Sequence, residues 1–200
     1  MKLFMLKIGA RPQGRLIEQH DVMFVVANSL RETIPMVNQL WPEINNKWHL
    51  DAWREVQRVG NYKITLVENA QLTDGFDETS PKLYFVNLGG YLPNQFEEFH
   101  YKTLVIANTV GKATAQVKKS DFYRDYTFDN ANPALSGIAT SHVDDKHQLD
   151  VDDIHVVDAL LPDGWGLKIE ALDEHQQSTL QEDTLHIGYI SLKALKTLTV

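Results

Sequence analysis

The chain has 200 residues, of which 43% are hydrophobic and 23% are charged, a composition typical of a globular protein. It contains no cysteine, which excludes disulfides, zinc–thiolate sites, iron–sulfur clusters and cysteine nucleophiles. Its formal net charge is −8, and most of the excess acid lies in residues 81–200. Because an acidic chain without a basic stripe does not suit a phosphate backbone, we expect no nucleic-acid partner.

Two hundred residues suffice for one large domain or two small ones. No segment approaches the roughly 18 consecutive apolar residues of a membrane span. The N-terminal MKLFMLKIGARPQG also lacks the small-residue cleavage site of a secretory signal. We therefore expect a cytoplasmic protein that does not associate with membranes.

The first predicted elements are two strands followed by a helix. LFMLKIG (3–9) and DVMFVVA (21–27) are apolar runs typical of buried strands. Ser29 and Glu32 have the S-x-x-E spacing of a capping box, which predicts a helix start. Pro35 follows within the apolar helical pattern, and we expect it to bend the helix near its first turn.

A further pair of strands is predicted after this helix. Gly60–Asn61 is typical of a hairpin turn, and it follows the strand WHLDAWREVQRV. Strict alternation along that strand places Trp48 and Leu50 on one face and Trp53 on the other. The end of the chain, DTLHIGYISL, predicts one more strand.

An internal repeat relates the two halves of the chain. At an offset of 80, residues 3–30 align with 83–110 without a gap. After the helix the offset grows to about 105, where NYKITLVE (61–68) resembles GLKIEALD (166–173). Such self-similarity predicts a duplicated structural unit. The identical positions in the first copy are Leu3, Gly9, Glu18, His20, Val25, Ala27 and Asn28.

The repeat predicts an α+β fold of two tandem β-β-α-β-β units packed with pseudo-twofold symmetry, plus a C-terminal strand. Pairing the copies would bury faces that one small unit leaves exposed. The predicted boundaries are a first unit at 1–68, a linker at 69–82, a second unit at 83–173 with an insertion at about 120–145, and an extension at 174–200.

The segments IGARPQGRLIEQHDVMF, SLRETIPMVNQLWP and HLDAWREVQRVGNYKI together resemble the bacterial family labelled domain of unknown function 1543. Members of that family carry one or two copies of the domain, so the resemblance implies that this chain is a two-copy member. It covers most of the first 68 residues well and the second copy less well. It implies no particular activity.

The repeated Glu-x-His sequence is the first candidate for chemistry. Glu18 and His20 share a strand face if they are extended, as do Glu98 and His100. A carboxylate beside an imidazole fixes its tautomer and favours its charged form, which is half of an acid–base apparatus. The alternative is structural: the pair ties the loop end to the sheet.

The loops between the first two strands of each copy are candidates for ligand binding. Arg11, Gln13 and Arg15 lie in the first loop, where two guanidinium groups suit a carboxylate or phosphate. The second loop has Tyr91 in the corresponding region and no arginine, which restricts an anion site to the first copy. The alternative is that these arginines are solvated surface residues.

The segment HVDDKHQLDVDDIHVVD (142–158) is the richest in potential metal ligands. Its spacing fits neither the D-x-[DN]-x-[DN]-G calcium loop nor H-E-x-x-H, so a solvated acidic edge is the alternative. His49 and Asp51 alternate on one strand face, and a His20/His49/Asp51 cluster is a further option, although nothing in the sequence shows that those strands meet. The candidate ligands in the segment are His142, Asp144, Asp145 and His147.

Neither a G-x-S-x-G elbow nor a dinucleotide or phosphate-loop signature occurs, so we expect no cofactor. The leading hypothesis is a non-catalytic module that binds a small molecule or a protein partner, with a homodimer as one option. The alternative is a small acid–base or metal-dependent enzyme that uses Glu18 and His20. A third option is that the acidic second half docks a basic protein.

Overall fold

The structure, a computed structural model, describes residues 1–68, 80–92, 94–125 and 153–198. The chain has an α+β fold and divides into two compact units. The first unit consists of Met1–Asp74 with Leu160–Val200, and the second consists of Gly75–Ala159. Within the described residues, no helix has both the length and the apolar character needed to cross a membrane.

The described elements are numbered here in chain order. The strands are β1 (Lys2–Ala10), β2 (Gln19–Ala27), β3 (Trp48–Glu55), β4 (Arg58–Val59), β5 (Tyr62–Glu68), β6 (Lys82–Tyr91), β7 (Glu98–Ala107), β8 (Asp153–Val156), β9 (Trp165–Ala171) and β10 (His186–Ser191). The α-helices are α1 (Ile34–Leu40), α2 (Val110–Val117), α3 (Asp121–Asp125), α4 (Glu174–Thr179) and α5 (Leu192–Leu195). Short 3₁₀ turns occupy Leu30–Thr33, Pro42–Ile44 and Val157–Leu160.

The first unit is built on a four-stranded antiparallel sheet in the order β10-β3-β1-β2. Strand β1 is central, and its alternate residues point into a core that also receives side chains from α1 and α5. A second, three-stranded sheet has the order β4-β5-β9. The buried members of the core include Phe4, Leu6, Ile8, Val25, Leu30, Val37, Trp48, Leu50 and Leu195.

The second unit has a three-stranded antiparallel sheet in the order β7-β6-β8. Its core is formed by one face of β6, by the end of β7 and by the apolar side of α2. The buried members are Tyr84, Val86, Leu88, Ala107, Ala113 and Val117.

The two hairpins, β1–β2 and β6–β7, have the same register. Gly9 lies opposite His20 in the first hairpin, and Gly89 lies opposite His100 in the second. Every pair from the first residue of β1 to its last recurs 80 residues later. The sequence offset of 80 is therefore also the offset of the strand register, whereas the pseudo-twofold packing of the copies stays a prediction.

Each hairpin leads into a helical segment through the same kind of cap. The hydroxyl of Ser29 accepts a hydrogen bond from the Glu32 amide, as the capping box predicts. The Glu32 carboxylate accepts from the backbone amide of Asn28, one residue earlier than in the usual box. In the second unit, the hydroxyl of Thr109 accepts from the Lys112 amide.

The first helix is interrupted near its start, as Pro35 predicts. The chain forms a 3₁₀ turn at Leu30–Thr33 before the α-helix begins at Ile34. Pro35 lies in the first turn of that helix, where its missing N–H has no carbonyl partner to lose. The helical segment of the second unit, α2, begins directly after Thr109 as an α-helix.

The prediction that Trp53 and Leu50 lie on opposite faces of β3 is wrong. Strand β3 has a register shift, because Lys7 of β1 lies opposite Ala52 whereas the next residue, Ile8, lies opposite Leu50. The bulge adds one residue and reverses the face on which later side chains point. Trp53 therefore packs against the same core cluster as Leu50.

The two compact units differ from the predicted domains in where the residues after 159 belong. Strand β9 pairs along its whole length with β5, with Ile64 opposite Ile169. As a result, residues 160–173, which the sequence assigned to the second unit, belong to the first. The predicted terminal strand is present as β10 and pairs with β3. Most of the predicted linker and most of the predicted insertion lie outside the described residues.

Candidate metal centre

A cluster of imidazoles and carboxylates lies at the end of the central strand of the first sheet. Gly9 of β1 lies opposite His20 of β2 on one side and opposite His49 of β3 on the other. The two histidines therefore flank one residue that has no side chain. This arrangement allows their rings to approach each other across the central strand.

The space above Gly9 is occupied by the cluster itself. A Cβ atom at this position would lie 2.8 Å from Cε1 of His49 and 3.0 Å from Oδ2 of Asp51, and closer still to Nε2 of His49. Such separations are too short for ordinary packing, so a side chain here would displace the imidazole. Gly9 is thus required for close approach rather than for an unusual backbone angle.

Asp51 lies at the bulge in β3, two residues after His49. It is the residue between Leu50 and Ala52, which pair with consecutive residues of β1, so Asp51 is the extra residue of the bulge. Its carboxylate reaches the same group as His49, with 3.2 Å between Nε2 of His49 and Oδ1 of Asp51.

Each imidazole faces two carboxylates through the same nitrogen. Nε2 of His20 lies 3.3 Å from Oε2 of Glu18 and 3.1 Å from Oδ2 of Asp51. Nε2 of His49 lies 3.5 Å from Oε1 of Glu18 and 3.2 Å from Oδ1 of Asp51. Four potential ligand groups, from two strands and a loop, therefore lie close together. Among them, Glu18, His20 and His49 offer ligand atoms within 4.8 Å of one another.

Burial in the cluster increases from the loop toward the third strand. The exposed fraction of the side chain is 43% for Glu18, 38% for His20, 22% for Asp51 and 11% for His49. Oδ2 of Asp51 is inaccessible to solvent and accepts no hydrogen bond from the described residues, although Nε2 of His20 lies 3.1 Å away. A buried carboxylate oxygen without a donor is costly, and a bound cation would satisfy it.

An aromatic side chain adjoins the cluster at the outer strand. The ring of Tyr189 lies against that of His49, with 4.4 Å between centroids and 34° between planes. The pairing of β10 with β3 shifts register between Ile187 and Ile190, and Gly188 has φ of 141° within that shift. This bulge positions Tyr189, which is 70% exposed, beside the histidine.

The corresponding hairpin of the second unit has part of this arrangement. His100 and Glu98 both lie on β7, and Nε2 of His100 is 3.9 Å from Oε2 of Glu98. As described, β8 begins at Asp153 opposite Asn87 and does not extend to Gly89. Within the described residues, no third-strand side chain therefore lies beside His100 in the way that His49 lies beside His20.

The residues predicted to bind a ligand lie on the loop between β1 and β2 and at the end of β6. Arg11, Gln13 and Arg15 are all exposed, and the two arginines form no ion pair with any described residue. Gly14 has φ of 83°, a left-handed angle that glycine adopts without strain. Tyr91 is the last residue of β6, opposite Glu98.

The segment that is richest in histidine and aspartate falls mostly outside the described residues. This applies to all four candidate ligands named there, His142, Asp144, Asp145 and His147. Two later residues of the segment are described in β8. Asp153 accepts a hydrogen bond from the side chain of Asn87, and His155 stacks on Phe85.

The structure brings together Glu18, His20, His49 and Asp51. The sequence paired the first two and named the others, but it did not show that the strands are neighbours. One local signal points to this contact: a glycine opposite His20 in the first hairpin, which would admit a second large side chain from the other neighbouring strand.

The fold is similar to that of a solved structure. The crystal structure of a protein Il1583 from Idiomarina loihiensis is 24% identical in sequence, with a TM-score of 0.58. The similarity covers 96% of this chain and 97% of that chain. It supports the α+β architecture described above. Among the curated proteins, none matches the chain.

The first unit also matches a family model, over residues 15–66. That span contains all four residues of the cluster but not Gly9, which precedes it. The model is described as Domain of Unknown Function (DUF1543), and residues 15–66 of this chain are similar to that domain.

Proposed function

We propose that the protein is a binding module for a divalent transition-metal ion, held by Glu18, His20, His49 and Asp51. The observation that carries this proposal is the spacing of the four groups. The nitrogen–oxygen separations are 3.1, 3.2, 3.3 and 3.5 Å. Neighbouring ligand atoms are about 3.3 Å apart in a tetrahedral site with metal–ligand bonds of about 2.0–2.1 Å. The two imidazoles lie beside different oxygens of each carboxylate, so an ion held by one oxygen of each would require the carboxylates to turn.

Hydrogen bonding alone accounts poorly for this cluster. A neutral imidazole has one N–H, so Nε2 of His20 can donate to either Glu18 or Asp51 but not fully to both. The same limit applies to His49. Two carboxylates beside the same imidazoles also repel each other unless a positive charge lies between them. A divalent cation at the centre would accept electron pairs from all four groups.

The ligand types favour particular metals. Two imidazole nitrogens and two carboxylate oxygens suit Zn²⁺, Co²⁺ or Ni²⁺ better than Mg²⁺ or Ca²⁺, which prefer oxygen ligands alone. A chain without cysteine offers no thiolate, so a histidine–carboxylate set is the expected type of transition-metal site.

The alternative function is a metal-independent acid–base enzyme using Glu18 and His20. What favours it is that both side chains remain partly exposed, so a substrate has access to them. In that case Asp51 would orient the His20 ring. The two proposals differ in whether the wild-type protein takes up a metal at all, and one titration separates them.

The test is a titration of the chelator-treated protein with Co²⁺, followed by calorimetry and visible absorption. We expect one ion per chain and the intense visible bands of tetrahedral Co²⁺. His20→Ala and His49→Ala should each weaken binding by more than about 100-fold, beyond the loss typical of an outer-shell partner.

His175→Ala is the matched control, because His175 lies on α4 of the same unit and outside the cluster. It should leave the Co²⁺ affinity unchanged. If the wild-type protein bound Co²⁺ no more tightly than the His20→Ala/His49→Ala double variant, the metal proposal would be wrong, and the acid–base alternative would be favoured.

A further inference from the structure

The four groups of the cluster are not held with equal rigidity. His20 lies on β2, and His49 and Asp51 lie on β3, so three of them belong to the sheet. Glu18 precedes β2 and belongs to the loop that connects it with β1. It is also the most exposed of the four, at 43%. Glu18 is therefore the group that can leave the centre at the smallest cost in structure.

Exposed apolar side chains flank the cluster. Leu16 and Ile17, which directly precede Glu18, are 95% and 75% exposed. On the other side, Tyr189 is 70% exposed and lies in contact with the His49 ring. Large exposed apolar side chains beside polar groups are typical of a ligand site, because a bound apolar body would bury them.

The charge around the loop favours an anion. Arg11 and Arg15 are exposed on the same loop as Glu18 and form no ion pair with any described residue. If Glu18 left a divalent ion, the ion together with its remaining ligands, two neutral imidazoles and the Asp51 carboxylate, would have a net charge of +1. An incoming carboxylate would restore neutrality by taking the place of the one that left.

We infer that Glu18 is an exchangeable ligand and that the centre binds an external carboxylate that bears an aromatic body. This inference rests on the metal site proposed above and names the ligand of that site. The carboxylate replaces Glu18 on the ion, and the aromatic body packs against Tyr189 and the exposed side chains of the loop.

The experiment titrates the Co²⁺-loaded protein with benzoate, acetate and benzyl alcohol, and follows the visible spectrum. Benzoate should change the spectrum and bind about 10-fold more tightly than acetate, a difference of the size of a single aromatic contact. Benzyl alcohol has the aromatic body without the carboxylate and should leave the spectrum unchanged.

Two variants separate the parts of the inference. Tyr189→Ala should reduce the benzoate affinity to that of acetate while leaving the Co²⁺ affinity within about twofold, since the ring is not a ligand. Glu18→Gln removes the internal competitor, so benzoate should bind it more tightly than it binds the wild-type protein. Tyr101→Ala is the control, because Tyr101 is a partly exposed tyrosine of the second unit.

The outcomes distinguish this inference from the proposed function. If Co²⁺ bound but neither carboxylate changed the spectrum, exchange of Glu18 would be wrong and the metal site would stand. If acetate and benzoate bound equally tightly, the inference that the external carboxylate bears an aromatic body would be wrong. Failure of the wild-type protein to bind Co²⁺ would overturn the metal site itself.

Discussion

The two hairpins of this protein share a register, but among the described residues only the first has a third strand beside its glycine–histidine pair. In the first, Gly9 lies between His20 and His49, and a bulge in β3 adds Asp51. In the second, Gly89 lies opposite His100 alone among the described residues. The hairpin thus provides a glycine–histidine pair in both units, and in the first unit the third strand completes a four-group centre.

The comparison shows that two hairpins of equal register can have different groups around the same glycine–histidine pair. The glycine opening is a property of the hairpin, because a position without a side chain leaves room above the central strand. What fills that room depends on the neighbouring strand and on its register. The bulge at Asp51 changes the face of the residues that follow it, such as Trp53.

The largest expected effect is a loss of metal affinity when a side chain is added at Gly9. Gly9→Ala would place a methyl group 2.8 Å from Cε1 of His49 and 3.0 Å from Asp51, which forces the imidazole to move. Because metal sites depend on positions held within about 0.5 Å, we expect Co²⁺ affinity to fall by at least ~100-fold. Co²⁺ titration and circular dichroism would separate this loss from unfolding.

The matched control for this variant lies in the second unit. Gly111→Ala is in α2, where an added Cβ meets no atom within 4 Å. Replacing a helical glycine should leave stability unchanged or raise it by up to about 1 kcal/mol. If both alanine variants bound Co²⁺ as the wild type does, the opening above Gly9 would have no role.

The next largest effect is a loss of stability on replacing Asp183, which precedes β10 in the first unit. Asp183 is 4% exposed and accepts hydrogen bonds from the Arg54 guanidinium and from the amides of Gln57 and Arg58. Asp183→Ala leaves these donors without an acceptor, so we expect the free energy of unfolding to fall by about 2–4 kcal/mol. Urea denaturation measures this change.

An exposed ion pair of the second unit provides the comparison. Asp121 is 84% exposed where it pairs with Arg124 on α3. Asp121→Ala should cause no measurable loss, because exposed pairs contribute little. Equal losses for Asp183→Ala and Asp121→Ala would show that the burial of Asp183 does not stabilise the first unit.

A smaller effect tests whether the second hairpin binds metal. His100→Ala should leave the Co²⁺ affinity within about twofold of the wild-type value, because His100 lies outside the four-group centre. The stoichiometry should remain one ion per chain. A second ion that disappears with this substitution would contradict the difference between the hairpins.

The smallest expected losses of stability come from removing the helix caps, and they should be equal in the two units. Ser29 and Thr109 each accept one amide hydrogen bond at a helix start, at 3.4 and 3.3 Å. Ser29→Ala and Thr109→Ala should each lower the free energy of unfolding by about 1 kcal/mol, the usual value of such a cap. Thermal or urea denaturation would detect it, and a large effect in one unit alone would contradict their equivalence.

Features that depend on neighbouring residues were predictable from the sequence. The strands of the first hairpin follow from apolar runs, and the cap at Ser29 follows from a polar residue three positions before Glu32. The turn at Gly60–Asn61 is present between β4 and β5, with Gly60 at φ of 56°. Each of these depends on a few residues that are close along the chain.

The centre itself could not be assembled from the sequence, because it depends on contacts between distant segments. Which strand lies beside β1 is decided by packing, and residues 20 and 49 are separated by a helix and two turns. The bulge at Asp51 also reverses the alternation on which assignment of faces depends. The aromatic neighbour Tyr189 arrives from the end of the chain, again through a bulge.

The pairing of β5 with β9 has a consequence for how such proteins assemble. Ile64 lies opposite Ile169, and these two residues also correspond in the alignment of NYKITLVE with GLKIEALD. A strand that pairs antiparallel with its counterpart in the predicted repeat, at matching midpoints, has the register needed to pair with itself from another molecule. A relative carrying one copy would thus have a self-complementary edge, and we expect it to sediment as a homodimer joined there.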